Sequence, residues 1–272
     1  MNRRFTIIAA CAALALGLAG CGDKKESAAV ADSGLTTITV GATPVPHADI
    51  LKFITPALKK DGVELKVIEF SDYVKPNMAL SDKELDANFF QHKPYLDSFA
   101  KERGLKLSVL CAVHIEPMGV YSRKHKDIKG LPEGAKGAIP NDPTNGGRAL
   151  RVLADAGFFQ LKDGVGINGT PADISSNPKN IKVIEMEAAV LPRALDDVDY
   201  AVINSNFALG VNLNPAKDSL FTESKDSPYA NIVAIRTGDD REAIKKLSAA
   251  LQSPEVRDFI LKNYKGSVLP AF

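Results

Sequence analysis

Tryptophan is absent from this chain, and cysteine occurs only at positions 11, 21 and 111. With so few cysteines, a disulfide-stapled fold is excluded. His47, His92, His114 and His125 are scattered, with no close histidine pair and no C-x-x-C, so no metal centre is expected. No P-loop, G-x-S-x-G or H-E-x-x-H occurs, and no cofactor is implied. The formal charge of +1 argues against nucleic acid as a partner, which needs a basic face. No apolar run is long enough for a comfortable membrane span.

What is present begins with a processed front end. Arg3 and Arg4 precede the apolar run Phe5 to Leu18, and small residues lead to Cys21. That order resembles a bacterial lipobox, with residues 1–20 removed as a signal peptide and Cys21 acylated. A plain secretory signal with a chance cysteine is the alternative. Residues 21–35, "CGDKKESAAVADSGL", are too poor in large apolar side chains to pack and read as a tether. Loss of residues 1–20 removes two arginines, leaving 32 basic against 33 acidic side chains. Cys111, in the apolar run "LSVLCAVHI", then stands alone and reads as a buried small hydrophobe.

From Thr36 the chain alternates strand and helix patterns. "TITVGAT", "VELKVIEFS", "AKGAIPND", "IKVIEME", "DYAVINS" and "NIVAIRT" read as strands. "ADILKFITPALKKDG", "KPYLDSFAKERG", "REAIKKLSAALQ" and "PEVRDFILKNY" carry apolar residues at helical spacing. The fold class is α/β. The length favours two lobes, with crossings expected near "EPMGVYS" and "SPYANIV". Residues 36–117 with 229–272 would form one lobe and 118–228 the other, with a ligand cleft between them.

One stretch stands out on chemical grounds. In "PNDPTNGGRALRVL" the helix is expected to open at Asn145, which puts Gly146, Gly147 and Arg148 in its first turn. A cation is disfavoured there, because the N-terminus is already positive. Either an external anion belongs at this terminus, met by the Arg148 fork and by N–H groups that the glycines leave uncovered, or Arg148 pairs with Asp142 or Asp155.

Several stretches together resemble one family. "EFSDYVKPNMAL", "LDANFFQHKPYLD", "IEPMGVYS", "PNDPTNGGRAL", "LPRALDDVDYAVINSNFA" and "SPYANIV" are similar to the methionine-binding lipoproteins of methionine ABC importers, the NlpA lipoprotein family. The resemblance covers nearly the whole body from Thr36. It implies a type II periplasmic-binding-protein fold, a zwitterionic amino acid between the lobes, an ABC permease with its ATPase as partners, and a place in the bacterial cell envelope facing the periplasm. The ligand implied is methionine, of L or also D configuration; another amino acid or a methionine-containing dipeptide is the alternative. Arg148 would clamp the carboxylate, and the Asn204 and Asn231 amide carbonyls would accept the ammonium without adding full charges. Tyr73, Phe90 and His92 match the pocket positions, with Gln91 and Tyr95 as further candidates. Phe89 and Phe90 should face opposite ways along a strand, which leaves Phe89 for the core unless it enlarges the pocket. His47 either touches ligand or caps the first helix. Met118 and Tyr121 are expected to shape the hinge. The chain departs from the family pattern at Phe89 and at Gly146–Gly147, where pocket size is in play.

Two other functions were weighed. An enzyme is disfavoured because no carboxylate in the cleft stretches has an evident acid/base partner. A surface adhesin is disfavoured because no low-complexity stalk is present.

Overall fold

The computed structural model describes residues 34–224 and 227–272. The expected signal peptide, Cys21 and nearly all of the tether lie outside the described residues.

In chain order the elements are β1 (Thr36–Ala42), α1 (Asp49–Lys60), β2 (Val63–Glu69), α2 (Lys75–Ser81), β3 (Ala87–His92), α3 (Lys93–Arg103), β4 (Leu107–Ile115) and β5 (Gly119–Tyr121). Next come β6 (Lys136–Pro140), α4 (Pro143–Asp155), β7 (Gln160–Leu161), β8 (Ile174–Ser176), β9 (Lys182–Met186), α5 (Leu191–Ala194), β10 (Tyr200–Ile203) and α6 (Ser205–Gly210). The last are β11 (Phe221–Thr222), β12 (Ala230–Arg236), α7 (Glu242–Leu251), α8 (Pro254–Tyr264) and β13 (Leu269–Pro270).

Two sheets organise the chain. The first runs β13-β4-β12-β3-β1-β2, so both chain ends build it. The second runs β11-β5-β10-β6-β9 and is built from the middle. Strands β1, β2 and β3 pair in parallel through helical crossovers, whereas β12 runs antiparallel between β3 and β4.

The core of the first sheet follows from helical spacing. Ile50, Leu51, Ile54 and Leu58 form one face of α1, and Ala243, Ile244, Leu247 and Leu251 one face of α7. Both faces join Ile38, Val40, Phe89 and Val233 from the strands in one buried cluster. A second cluster places Leu150, Leu153, Phe158 and Tyr200 behind the other sheet. Met118 and Tyr121, expected at the hinge, are instead fully buried in the clusters of the second sheet. Their side chains face inward on short β5 and the residue before it, so packing is what they supply.

β3 is buried along its whole length. It sits between β1 and β12, so neither face reaches water. Alternation still divides its side chains. Phe89 enters the sheet core, and Phe90 joins Tyr95 and Phe99 on the opposite side.

Candidate functional site

The helix that carries Arg148 starts earlier than its sequence suggests. Asp142 is its N-cap, accepting the Asn145 N–H at 2.9 Å, and Pro143 follows as the first helical residue. This is an ordinary helix start, with a capping carboxylate and then a proline whose missing N–H costs nothing there. Arg148 therefore lies in the second turn, and the anion at the terminus is Asp142. The two glycines have a different task from the one expected. A Cβ on Gly147 would stand 2.1 Å from the Ile167 carbonyl oxygen, and one on Gly146 2.9 Å from that of Pro140. Both are glycine because backbone passes against the helix, not to uncover N–H groups.

Arg148 is only 3 % exposed at its side chain, and it pairs with neither Asp142 nor Asp155. Its Nε and Nη2 donate to the Glu223 carboxylate at 3.1 and 2.6 Å, and Nη2 also donates to the Glu116 carbonyl oxygen at 2.8 Å. The Tyr229 ring lies beneath the guanidinium, 4.3 Å from its carbon. Nη1 makes no hydrogen bond among the described residues. The two-pronged edge expected for an external carboxylate is thus taken by the chain itself, and one arm remains.

Arg148 borders a small cavity between the two sheets. Tyr73, Phe90 and Tyr95 wall one side, with ring centroids 5.8–6.0 Å apart. Their hydroxyls are committed elsewhere. Tyr73 donates to Asn206 Oδ1 at 2.5 Å, and Tyr95 to the Tyr73 carbonyl at 2.9 Å. Burial pushes the Tyr73 phenol well above its ordinary range. The wall offers ring faces alone.

The other side is polar, and much of it was not foreseen. Glu116, Asn145, Ser205 and Asn206 line the cavity beside the expected Asn204 and Asn231. Asn145 Oδ1 accepts from Asn204 Nδ2 at 2.8 Å and from His92 Nε2 at 3.1 Å, while its amide donates to Asp142. The His92 tautomer follows from its other nitrogen. Nδ1 caps α3 by accepting the Tyr95 N–H at 3.1 Å, so Nε2 carries the proton. Burial, and then the Arg148 charge, pull the His92 pKa down to about 3. Asn204 Oδ1 is buried with no partner. An unpaired buried acceptor costs free energy unless something donates to it.

Glu116 brings a carboxyl group to a site whose ammonium acceptors were expected to be amides alone. His114 Nε2 donates to its Oε1 at 2.7 Å, His47 Nε2 lies 3.4 Å away, and the Asn206 N–H also donates to it. Burial raises the carboxyl's pKa, partly opposed by His47 and Arg148. The histidines judged scattered in sequence therefore meet, with ring centroids 4.9 Å apart. Strand register explains part of this, because Asn231 lies directly across from His92 on β3 and His114 on β4. His47, His114 and Glu116 each offer a ligand atom within 4.8 Å of the others. His114 Nε2 is the hydrogen-bond donor to Oε1, whereas the single His47 Nε2 proton goes to Asn231 Oδ1. Burial holds their pKa values near 4 for His47 and 3 for His114, so both rings are neutral at pH 7.

Two secondary candidates fall away as cavity residues. His47 neither lines the cavity nor caps a helix. It accepts from Thr43 Oγ1 at 2.8 Å and holds Asn231 Oδ1 at 3.1 Å, so it supports Asn231 from behind. Phe89 packs edge-on against His47, at 4.6 Å, in the sheet core. The expectation that no cleft carboxylate has an acid/base partner also fails, since Glu116 has two. Neither histidine touches the cavity, however, so neither can exchange a proton with a bound molecule.

An α/β chain with one sheet built from both chain ends, a second built from the middle and a cavity between them has the two-lobed periplasmic-binding-protein fold of type II. Comparison with known proteins bears this out. The NlpA lipoprotein family model matches residues 38–272, and the chain belongs to that family. The D-methionine-binding lipoprotein MetQ of Escherichia coli K12 is 42 % identical over 276 residues, covering 99 % of both chains. The methionine-binding lipoprotein MetQ of Bacillus subtilis is 43 % identical over 259 residues, covering 93 % of both. A nutrient-binding protein of Burkholderia cenocepacia, solved bound to methionine, is 50 % identical with a TM-score of 0.84, covering 86 % of this chain and all of that one.

Proposed function

We propose that this protein is the lipid-anchored substrate-binding component of an ABC importer, and that it captures methionine and delivers it to the permease and its ATPase. One observation carries the reading. One cavity is lined by Glu116, by Arg148 and by Asn204 with its unpartnered Oδ1, opposite a wall of three aromatic rings. Those groups are complementary to a zwitterion with an apolar, polarisable side chain. The carboxylate meets Arg148 Nη1. The ammonium meets Glu116, Asn204 Oδ1 and the remaining lone pair of Asn231. The thioether rests against Tyr73, Phe90 and Tyr95, with His92 at the border, where sulfur–aromatic contacts contribute roughly 0.3–1.5 kcal/mol each.

Residues 36–117 with 229–272 act as one lobe and 118–228 as the other. Tyr73 with Asn206, and His92 with Asn145, are among the hydrogen bonds that join them around the ligand. Cys21 carries the lipid that holds the protein at the cell envelope. The chain binds and releases without turnover. Mass spectrometry of gently purified protein tests this directly: methionine should co-purify. After stripping, calorimetry with L- and D-methionine should give saturable binding at one site. A co-purified amino acid of another mass, with no heat from methionine, would replace methionine as the substrate.

A further inference from the structure

The Arg148 guanidinium is held from three directions, two of them from segments where the chain passes between the lobes. Glu116 supplies its carbonyl oxygen, Tyr229 its ring and Glu223 its carboxylate. Glu223 does not line the cavity. It follows β11, which pairs with β5, and its backbone N–H donates to the Met118 carbonyl at 2.9 Å. Its Oε2 also accepts the Met118 N–H at 3.3 Å. Glu223 is therefore anchored to the sheet that α4 packs on, and it keeps company with Arg148 wherever the opposite lobe stands.

The carboxylate spans the Nε–Nη2 edge of the arginine. Nη2 spends its second proton on the Glu116 carbonyl oxygen. Nη1 alone remains for anything in the cavity. We infer that Glu223 is a positioning residue for substrate binding: it fixes the guanidinium plane so that Nη1 points into the cavity, and the substrate carboxylate is received by that one arm. The inference rests on the proposed amino-acid site. It differs from a competitor reading, in which Glu223 occupies the place of the substrate carboxylate. A competitor would have to reach the cavity, and Glu223 lies on the far edge of the arginine. Glutamine at this position keeps the shape but turns an amide N–H₂ toward the guanidinium, which frees Arg148 to rotate.

Two measurements test this. The first needs no ligand, and a variant only to assign the signal. In stripped protein the Arg148 Nε–H resonance, identified by its loss in Arg148→Lys, should be protected from solvent exchange. Free exchange overturns the inference, whatever the protein binds. The second compares methionine with methionine amide by calorimetry. Glu223→Gln should weaken methionine binding about tenfold or more, roughly 1.4 kcal/mol. Methionine amide, which has no carboxylate to orient, should change less than threefold. In an Arg148→Ala background, Glu223→Gln should add less than twofold. Equal losses for both ligands would make Glu223 merely structural, and tighter methionine binding would make it a competitor; either result overturns the inference. A protected Nε–H in a protein that binds no methionine would sink the methionine reading and leave the Arg148–Glu223 pairing standing.

Discussion

Replacing Glu116 with glutamine should separate ligand-free stability from ligand affinity. The carboxyl is buried, and burial raises its pKa against the opposing pull of His47 and Arg148. Glutamine keeps the shape and can still accept from His114 Nε2, which now sits 2.7 Å from Oε1. Removing an under-compensated buried charge is often neutral or stabilising. The melting temperature of the stripped variant should therefore be unchanged or a few degrees higher. Binding should move the other way. Two unit charges about 4 Å apart at an effective dielectric near 20 attract by roughly 4 kcal/mol. The amide oxygen of glutamine would retain about 1 kcal/mol of that as a neutral hydrogen bond. A net loss of about 2–4 kcal/mol corresponds to roughly 30- to 700-fold in dissociation constant. Titration calorimetry and thermal unfolding on the same stripped samples read both quantities. An affinity within twofold of the parent, together with a clear fall in melting temperature, would make Glu116 a structural group rather than the partner of an ammonium.

Three further outcomes follow from named contacts. Phe89→Ala, in the sheet core, should cost about 3–5 kcal/mol of stability, whereas Phe90→Ala should cost more ligand affinity than Phe89→Ala does; denaturant unfolding and calorimetry rank the two. Glycine to alanine inside a helix normally stabilises by up to about 1 kcal/mol, but Gly147→Ala should destabilise by about 1–3 kcal/mol, because its Cβ would meet the Ile167 carbonyl oxygen at 2.1 Å; a rise in melting temperature would contradict that packing. His92 is buried neutral with a pKa near 3, below its unfolded value, so its share of stability is complete above about pH 6.5 and is lost as the pH falls. Between pH 7 and 5 that loss should reach roughly 2 kcal/mol, and His92→Gln should flatten the pH dependence of unfolding by that amount; equal slopes would refute it.

The sequence shows the fold through local patterns. The apolar face of α1 and the alternation of β3 separate core from cavity without any long-range information. Arg148, Phe90, Tyr73, Asn204 and Asn231 were also legible, because the resemblance carried them. Misreadings arose where partners are distant in the chain. Arg148 and Glu223 are 75 positions apart, and His47 and Asn231 are 184 apart, so no spacing rule joins them. The helix start was misplaced although its signal was there: Asp142 followed by Pro143 is a cap followed by a first helical residue. The glycines then looked like an opened terminus, when Gly147 lies against a loop twenty positions on and Gly146 against the Pro140 carbonyl. Glu116 also had a local cue. His114 and Glu116 alternate onto one face of an extended strand, but the segment from Glu116 was taken as a crossing between lobes.

The division of labour between the lobes has a consequence for selection. The rings that meet a ligand's side chain, Tyr73, Phe90 and Tyr95, all belong to the segment that builds the first sheet. Arg148, Asn145 and Asn204 belong to the second, and Glu116 and Asn231 stand beside the crossings. On the proposed reading, each lobe inspects a different part of the same molecule. An apolar compound without α-groups satisfies the first and gives the second nothing to grip. Glycine does the reverse. Neither supplies the free energy that draws both walls together, so discrimination resides in the act of closing rather than in the first encounter. A permease that accepts only the closed form would inherit that judgement without touching the ligand.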